Sequence, residues 1–105
     1  MIKFGQLCTV LLATTILSAP ASAADPIKIG VVTPLSGTYS PIGQQVRWGL
    51  ELATKEVNAS GGIMGRQIQL MFEDEEANPS VAVQKAEKLF ESEKVDFLTG
   101  TVNSG

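Results

Sequence analysis

Two short segments of this chain combine glycines with side chains that form hydrogen bonds. The first, PLSGTYSPIG at residues 34–43, contains four hydroxyl side chains, two prolines and two glycines. The second, GTVNSG at residues 100–105, contains Thr101, Asn103 and Ser104. Hydroxyl, amide and backbone N–H groups hold a polar small molecule by hydrogen bonds, without any covalent step. Both segments are therefore candidate ligand-binding loops.

The first segment offers two kinds of group to a ligand. Its hydroxyls belong to Ser36, Thr38, Tyr39 and Ser40. Its backbone N–H groups near Gly43 lie where the dipole of a following helix favours an anion. An alternative stays open, because Ser36 and Ser40 also suit the capping of a turn and of the helix. The second segment has a similar alternative, since Asn and Ser are ordinary residues of turns that bind nothing.

Several other chemistries are excluded by the residues present. A dinucleotide site needs G-x-G-x-x-G, but Gly37 and Gly43 have no third glycine at the required spacing. The Gly-Lys-Ser/Thr ending of a P-loop is also absent. The chain has no histidine and a single cysteine, Cys8. We therefore expect no disulfide, no zinc site with Cys or His ligands and no catalytic triad that uses either residue within this sequence.

The acidic run EDEE at residues 73–76 is the remaining candidate for a metal site. Its spacing does not fit a calcium loop, which places oxygen ligands at alternate positions and needs a glycine. A run of charges is more often a solvated face. We expect these carboxylates to lie in solvent at the end of a strand.

Hydrophobic periodicity predicts five elements that position the two loops. Apolar runs at residues 27–33 and 95–100 are typical of buried strands, and residues 65–74 alternate as a strand does. Two helices separate these strands. The apolar face of the first comprises Ile42, Val46, Leu50, Ala53 and Val57, and that of the second comprises Ala82, Val83, Ala86, Leu89 and Phe90.

The helix ends carry signals of their own. Gly61 and Gly62 can take the positive φ that ends the first helix. Asn78 is a good N-cap for the second helix, and Pro79 suits its first position. On the first helix, Arg47 and Trp48 lie off the main apolar stripe, so we expect them at the surface or packed between elements.

The order β-α-β-α-β predicts an α/β fold with a doubly wound parallel sheet. Right-handed crossovers around a central first strand give the strand order 2-1-3, with one helix on each face. In such sheets a ligand binds at the carboxyl ends of the strands, where the direction of winding reverses. The reversal falls between the first and third strands, and residues 34–43 and 100–105 leave those two strand ends.

The first 23 residues have the pattern of a secretory signal peptide. MIKFGQ carries the cation Lys3, LCTVLLATTIL is apolar, and Ala21 and Ala23 form an A-x-A cleavage site. The apolar run is shorter than the about 20 residues that span a bilayer. We expect cleavage after Ala23, export to the periplasm, and a mature segment at residues 24–105.

The mature segment is acidic. The chain has 8 Lys and Arg residues against 11 Asp and Glu residues, and Lys3 is lost with the signal peptide. A nucleic-acid partner is not expected, because binding phosphates needs a basic surface. The sequence stops directly after an apolar strand pattern, so we expect residues 24–105 to be an N-terminal part of a larger ligand-binding domain.

Three stretches of the chain resemble the periplasmic substrate-binding proteins of branched-chain amino acid ABC transporters. They are PLSGTYSPIG, NASGGIMGRQI and the final GTVNSG, within a resemblance that extends over nearly all of residues 24–105. The resemblance implies part of the first lobe of a two-lobed receptor, which closes on its ligand and delivers it to a membrane permease without covalent chemistry.

The resemblance also implies a set of ligand contacts. In the leucine, isoleucine and valine-binding members, the position matching Ser104 holds the carboxylate of the ligand, and the first loop lines the same cleft. The implied ligand-binding residues are Ser36, Gly37, Thr38, Tyr39, Ile42, Gly43, Asn103 and Ser104. The resemblance implies no catalytic residue, no cofactor, no metal and no nucleic-acid partner.

Two positions differ from the family pattern and leave the ligand open. The position of Ile42 is often aromatic in the family, and Asn103 stands beside the serine. Relatives with similar loops bind aromatic carboxylates, so the ligand is a branched-chain or other amino acid, or an aromatic acid. Two other classes also stay open: an enzyme on the same scaffold with catalytic residues outside this sequence, and the ligand-sensing ectodomain of a membrane receptor. The export signal and the family pattern favour the transport protein.

Overall fold

The computed structural model describes residues 24–103, which form a single sheet and two helices. The predicted order of elements is confirmed. The elements are β1 (Ile27–Thr33), α1 (Ser40–Ala59), β2 (Ile68–Asp74), α2 (Pro79–Glu91) and β3 (Phe97–Thr99). The third strand is shorter than the apolar run at residues 95–100 that predicted it.

The three described strands form a parallel sheet in the order β2-β1-β3. Val31, in the central strand β1, pairs with Phe72 on one side and with Thr99 on the other. The predicted α/β class and the strand order 2-1-3 are therefore both confirmed. Because all three strands run the same way, their carboxyl ends lie at one edge of the sheet.

The two helices cover opposite faces of the sheet. Met71 of β2 packs against the buried cluster of Val32, Leu89 and Val95, which includes a residue of α2. The next residue, Phe72, lies under the guanidinium of Arg47 from α1, at 5.1 Å from its ring centre. Side chains alternate between faces along a strand. Helix α2 therefore packs on the face of Met71, and α1 packs on the face of Phe72.

Helix α2 begins as its sequence predicts. The side chain of Asn78 accepts hydrogen bonds from the backbone N–H groups of Ser80 and Val81, at 2.9 and 3.4 Å. These groups have no partner inside the helix, and an Asn cap supplies one. Pro79 occupies the first turn, where it needs no hydrogen-bond donor. The start of α2 is thus determined locally.

Helix α1 begins earlier than the sequence analysis expected. The connection after β1 is six residues, 34–39, because the last four residues of the ten-residue segment already form the first turn of α1. Pro41 does not break this turn, since its fixed φ suits the first positions of a helix. The N-cap is Tyr39 and its side chain forms no cap hydrogen bond, so Ser40 does not cap the helix.

A close backbone approach explains the glycine in this first turn. Gly43 is buried, and a Cβ atom added to it would overlap the carbonyl oxygen of Pro34. Pro34 is itself fully buried at the end of β1. The short connection therefore folds back so tightly that the start of α1 rests on the residue that follows β1.

Replacing Gly43 tests this contact. We expect Gly43→Ala to destabilise the fold by about 3 kcal/mol or more, because the overlapping atom is backbone and cannot rotate away. Gly49, in the same helix, has no atom within 4 Å of an added Cβ. Gly49→Ala should leave stability unchanged or raise it by up to about 1 kcal/mol, because Ala favours a helix. Chemical denaturation measures the free energy of unfolding of both variants. Equal values for Gly43→Ala and Gly49→Ala would refute the role of the close approach.

Candidate functional site

Three connecting segments meet at the carboxyl edge of the sheet. Residues 34–39 follow β1, residues 75–78 follow β2, and residues 100–103 follow β3. This edge is where ligands bind in doubly wound sheets. The candidate site is therefore built from these three segments and from the first turns of the helices that they enter.

Asp74, the last residue of β2, holds the segment that follows β1. One of its carboxylate oxygens accepts the backbone N–H groups of Leu35 and Glu76, at 2.8 and 2.9 Å. The other accepts the hydroxyl of Ser36 at 2.6 Å. A carboxylate with several donors forms stronger hydrogen bonds than a neutral acceptor does. Asp74 thus attaches residues 34–39 to the end of the neighbouring strand.

The electrostatics of Asp74 agree with this role. Burial by itself acts to raise its pKa, but the hydrogen bonds from Ser36, Leu35 and Glu76 outweigh that effect. The pKa of Asp74 therefore lies below its ordinary value of 3.8. The carboxylate is ionised at neutral pH, when its hydrogen bonds are strongest.

The predicted first-loop residues divide into two groups in the structure. The hydroxyl of Ser36 is engaged within the protein, as a donor to Asp74. The N–H groups of Ile42 and Gly43 both donate to the carbonyl oxygen of Tyr39, at 3.1 Å. These groups hold the loop in shape and are not spare donors.

The remaining groups of the loop face solvent. The side chains of Tyr39 and Ile42 are 44% and 46% exposed. Gly37 has a φ of +75°, which turns the chain between Ser36 and Thr38. Within residues 24–103, the backbone N–H groups of Thr38 and Tyr39 have no acceptor. Two backbone donors, an aromatic ring and an aliphatic side chain are thus available beside this edge.

Glu75 follows Asp74 and lies on the opposite side of the sheet. Its side chain is 4% exposed, and its backbone N–H continues the strand ladder to the carbonyl oxygen of Thr33, at 3.2 Å. Its backbone carbonyl accepts the N–H of Asn78 at 2.9 Å, where α2 begins. Burial raises the pKa of Glu75, the charge of Asp74 raises it further, and the Val102 N–H partly opposes them.

An open cleft of about 200 Å³ lies beside Glu75. The residues that line it are Glu75, Ala77, Asn78, Pro79, Ala82, Val83, Thr101 and Asn103. It brings Asn103, one of the predicted site residues, to the start of α2. The predicted residues of the first loop do not line this cleft. Ser104 lies outside the residues that the structure describes, so its position relative to the cleft is not part of this geometry.

The acidic run is not the solvated cluster that the sequence analysis expected. Glu73 forms salt bridges with Lys85, at 3.2 Å, and with Lys88 of α2. The hydrogen bond from Lys88 lowers the pKa of Glu73, with burial opposing it and Lys85 adding to it. Asp74 holds a loop and Glu75 is buried, so the expectation was wrong for those three residues. Only the side chain of Glu76 is exposed.

Sequence reasoning missed Asp74 and Glu75 as parts of the site. A signal for them was present, because consecutive residues at the end of a strand point to opposite faces. Two neighbouring carboxylates there can each serve one face of the sheet. Across residues 24–103, no three acidic, cysteine or histidine side chains are grouped so that they could hold a metal ion. Within the same residues, no helix has the length and apolar character needed to cross a membrane.

Comparison with known proteins identifies what the chain resembles. A family model described as "Periplasmic binding protein" matches residues 26–105. A curated relative, Leu/Ile/Val-binding protein homolog 2 of Brucella abortus, is 38% identical over 103 residues, which is 98% of this chain and 27% of the relative. The chain therefore spans little more than a quarter of the length of that relative.

Two solved structures are similar to this chain in fold. One is a branched-chain amino acid transporter substrate-binding protein from Streptococcus pneumoniae, in complex with isoleucine. It is 33% identical with a TM-score of 0.69, and the match covers 71% of this chain and 22% of the S. pneumoniae chain. A solute-binding protein of an ABC transporter from R. palustris, in complex with benzoate, is 40% identical with a TM-score of 0.67, over 75% of this chain and 21% of that one.

The attachment of the first loop by Asp74 predicts a dependence of stability on pH. Folding lowers the pKa of Asp74, so its ionised carboxylate stabilises the fold at pH values above its unfolded-state pKa near 3.8. This stabilisation is lost as the pH falls through the lower pKa of the folded state. We expect Asp74→Asn to be less stable than the parent by about 1–3 kcal/mol at pH 7. The difference should close as the pH falls below about 3.8, which urea unfolding at stepped pH measures.

Glu76 provides the matched control for this experiment. Its side chain is exposed and forms no hydrogen bond or ion pair with any of residues 24–103, and only its backbone N–H is bonded, to Asp74. Glu76→Gln should therefore change stability by no more than about 0.5 kcal/mol at any pH tested. If the gap between the parent and Asp74→Asn stayed constant into acid, the Asp74 carboxylate would not be the group that holds the loop.

Proposed function

The chain belongs to the periplasmic binding protein family, and from that premise we propose that it is part of the extracytoplasmic solute-binding component of an ABC importer. The observation that carries the proposal is the match of the family to residues 26–105, which include all three segments at the carboxyl edge of the sheet. The protein captures a small molecule and releases it to a membrane permease. It performs no covalent chemistry and is not an enzyme.

We propose that the ligand bears a carboxylate and is either an amino acid or an aromatic acid. Both types occur among similar proteins, in the complexes with isoleucine and with benzoate. The ligand contacts come from the first loop and from the segment after β3, at Ser36, Gly37, Thr38, Tyr39, Ile42, Gly43, Asn103 and Ser104. In the first loop, the N–H groups of Thr38 and Tyr39 have no acceptor within residues 24–103 and suit an anion, and the exposed Ile42 suits an apolar group beside it.

The domain boundaries follow from the same proposal. Residues 1–23 are a signal peptide, which lies outside the described residues, and residues 24–105 are the N-terminal part of the first lobe. The difference in length between this chain and its relatives leaves room for the rest of that lobe and for a second lobe. The mature protein acts in the periplasm, where its partners are the small-molecule ligand and the permease.

A ligand screen on the full-length protein tests the function. The panel contains branched-chain and other amino acids, benzoate and hydroxylated benzoates. A ligand that binds only the native state stabilises it by about 2.7 kcal/mol at a concentration 100 times Kd. We expect at least one panel member to raise the unfolding temperature in a concentration-dependent way. The proposal fails if no amino acid and no aromatic acid does so.

The carboxylate-binding role of Ser104 has a direct test with the ligand that the screen identifies. A hydrogen bond to a charged group contributes about 1.5–3 kcal/mol. Ser104→Ala should therefore weaken binding by roughly 10- to 150-fold, at about 1.4 kcal/mol for each factor of ten. Titration calorimetry on the full-length protein measures the change.

Ser92 is the control for the loss of a serine hydroxyl. It is exposed at the far end of α2, away from the carboxyl edge of the sheet. Ser92→Ala should bind the ligand with the affinity of the parent. Parent-like affinity in Ser104→Ala would instead favour the alternative that this hydroxyl only stabilises a turn.

A further inference from the structure

The turn that precedes β2 presents a methionine to solvent. Residues 63–66 form a tight turn, in which Ile63 and Arg66 exchange two backbone hydrogen bonds of 2.8 and 2.9 Å. The two central residues, Met64 and Gly65, have φ values of 51° and 79°. Met64 is 95% exposed, more than any other large apolar residue of residues 24–103. Its thioether sulfur, a soft and polarisable group, therefore lies at the tip of the turn.

The turn is held in place from its base. The guanidinium of Arg66 donates from Nε to the carbonyl oxygen of Asp25 at 2.8 Å and from Nη2 to that of Pro26 at 3.3 Å. A Cβ atom added to Gly62 would lie 2.1 Å from the carbonyl oxygen of Arg66, so the backbones on the two sides of the turn are in close contact. These contacts hold Met64 at a positive φ, which is unfavourable for a residue with a Cβ atom.

The other methionine of residues 24–103 has the opposite environment. Met71, in β2, packs against the buried cluster that α2 covers. An oxidant in solution reaches a sulfur in such a position only when the fold opens. Met64 and Met71 are close in the chain, yet one lies in solvent and the other lies against the core. The pair therefore provides an internal comparison of reactivity.

The turn is also remote from the candidate ligand site. It precedes β2, so it lies at the amino ends of the strands, whereas the three connecting segments of the site lie at the carboxyl edge. Strand β2 has seven residues, and at about 3.3 Å per residue it separates the two ends of the sheet by about 20 Å. A change in the polarity of the Met64 side chain is therefore made far from the groups that face a ligand.

We propose that Met64 is a site of reversible oxidation on the surface of this protein, at which a sulfoxide forms without loss of the fold. The oxidant is a peroxide. With hydrogen peroxide, the Sγ lone pair attacks one oxygen, the O–O bond breaks and water leaves, so the sulfur loses two electrons and the peroxide gains them. In the reverse step a dithiol, acting through methionine sulfoxide reductases, removes the oxygen as water and becomes a disulfide. The inference does not depend on the proposed function.

Peptide mapping of the full-length protein measures the two oxidation rates. Trypsin cleaves after Lys55, Arg66 and Lys85, which places Met64 in EVNASGGIMGR and Met71 in QIQLMFEDEEANPSVAVQK. The folded protein is treated with hydrogen peroxide, and mass spectrometry follows the fraction of each peptide that carries one added oxygen. We expect Met64 to be oxidised at least about tenfold faster than Met71, because Met71 reacts only through opening of the fold. In urea the two rates should agree within about twofold, because both thioethers are then exposed.

Met64→Leu is the matched variant, because it keeps an apolar side chain of similar volume and removes the sulfur. Its urea midpoint should equal that of the parent before oxidation. After the same dose of peroxide, the oxidised parent should still unfold at the midpoint of the treated Met64→Leu protein, because the sulfoxide lies in solvent. The two epimer-specific methionine sulfoxide reductases, supplied with dithiothreitol, should then remove the oxygen from Met64 in the folded protein.

Each outcome decides the proposal. Equal oxidation rates of Met64 and Met71 in the folded protein overturn it, because Met64 would then be covered in the full-length chain. A midpoint that is lower in the oxidised parent than in the treated Met64→Leu protein also overturns it, because the sulfur would then contribute to packing. Oxygen that the reductases remove only after unfolding overturns the reversibility. Selective oxidation of Met64, an unchanged midpoint and full recovery together sustain the proposal.

Discussion

The candidate site depends on the alternation of side chains at the end of β2. Asp74 and Glu75 are consecutive, so the pleat of the strand directs one carboxylate to each face of the sheet. On the face of α1, Asp74 accepts donors from the loop after β1. On the face of α2, Glu75 is buried, and its backbone bonds join the end of β1 to the start of α2. The loop after β1 and the start of α2 are thereby both attached to the end of β2.

The second constraint is the close approach between Pro34 and Gly43. It leaves no space for a side chain where α1 crosses the end of β1. The connection after β1 is therefore short, and its hydroxyl at Ser36 serves the protein itself. The polar groups of this loop therefore have two uses. Some maintain its shape, while the N–H groups of Thr38 and Tyr39, which find no acceptor among residues 24–103, remain for solvent or a ligand.

Periodicity and capping predicted the fold because both are local properties. The Asn78 cap and the alternation in β2 are determined by residues within a few positions of each other. The start of α1 was missed because Pro41 and Gly43 were treated as loop residues, although a proline suits the first turn of a helix. The roles of Asp74 and Glu75 were missed because they depend on partners far along the chain, which only the register of the sheet brings near.

The two carboxylates differ in a way that matters for binding. Asp74 accepts several hydrogen bonds and its pKa is lowered. Glu75 is buried, one of its oxygens has no partner within residues 24–103, and its pKa is raised. Since they are neighbours in the chain, only one peptide unit separates the residue that holds the first loop from the buried carboxylate of Glu75. Loops that are already held in place lose less conformational freedom when a ligand binds, and this lowers the entropic cost of binding.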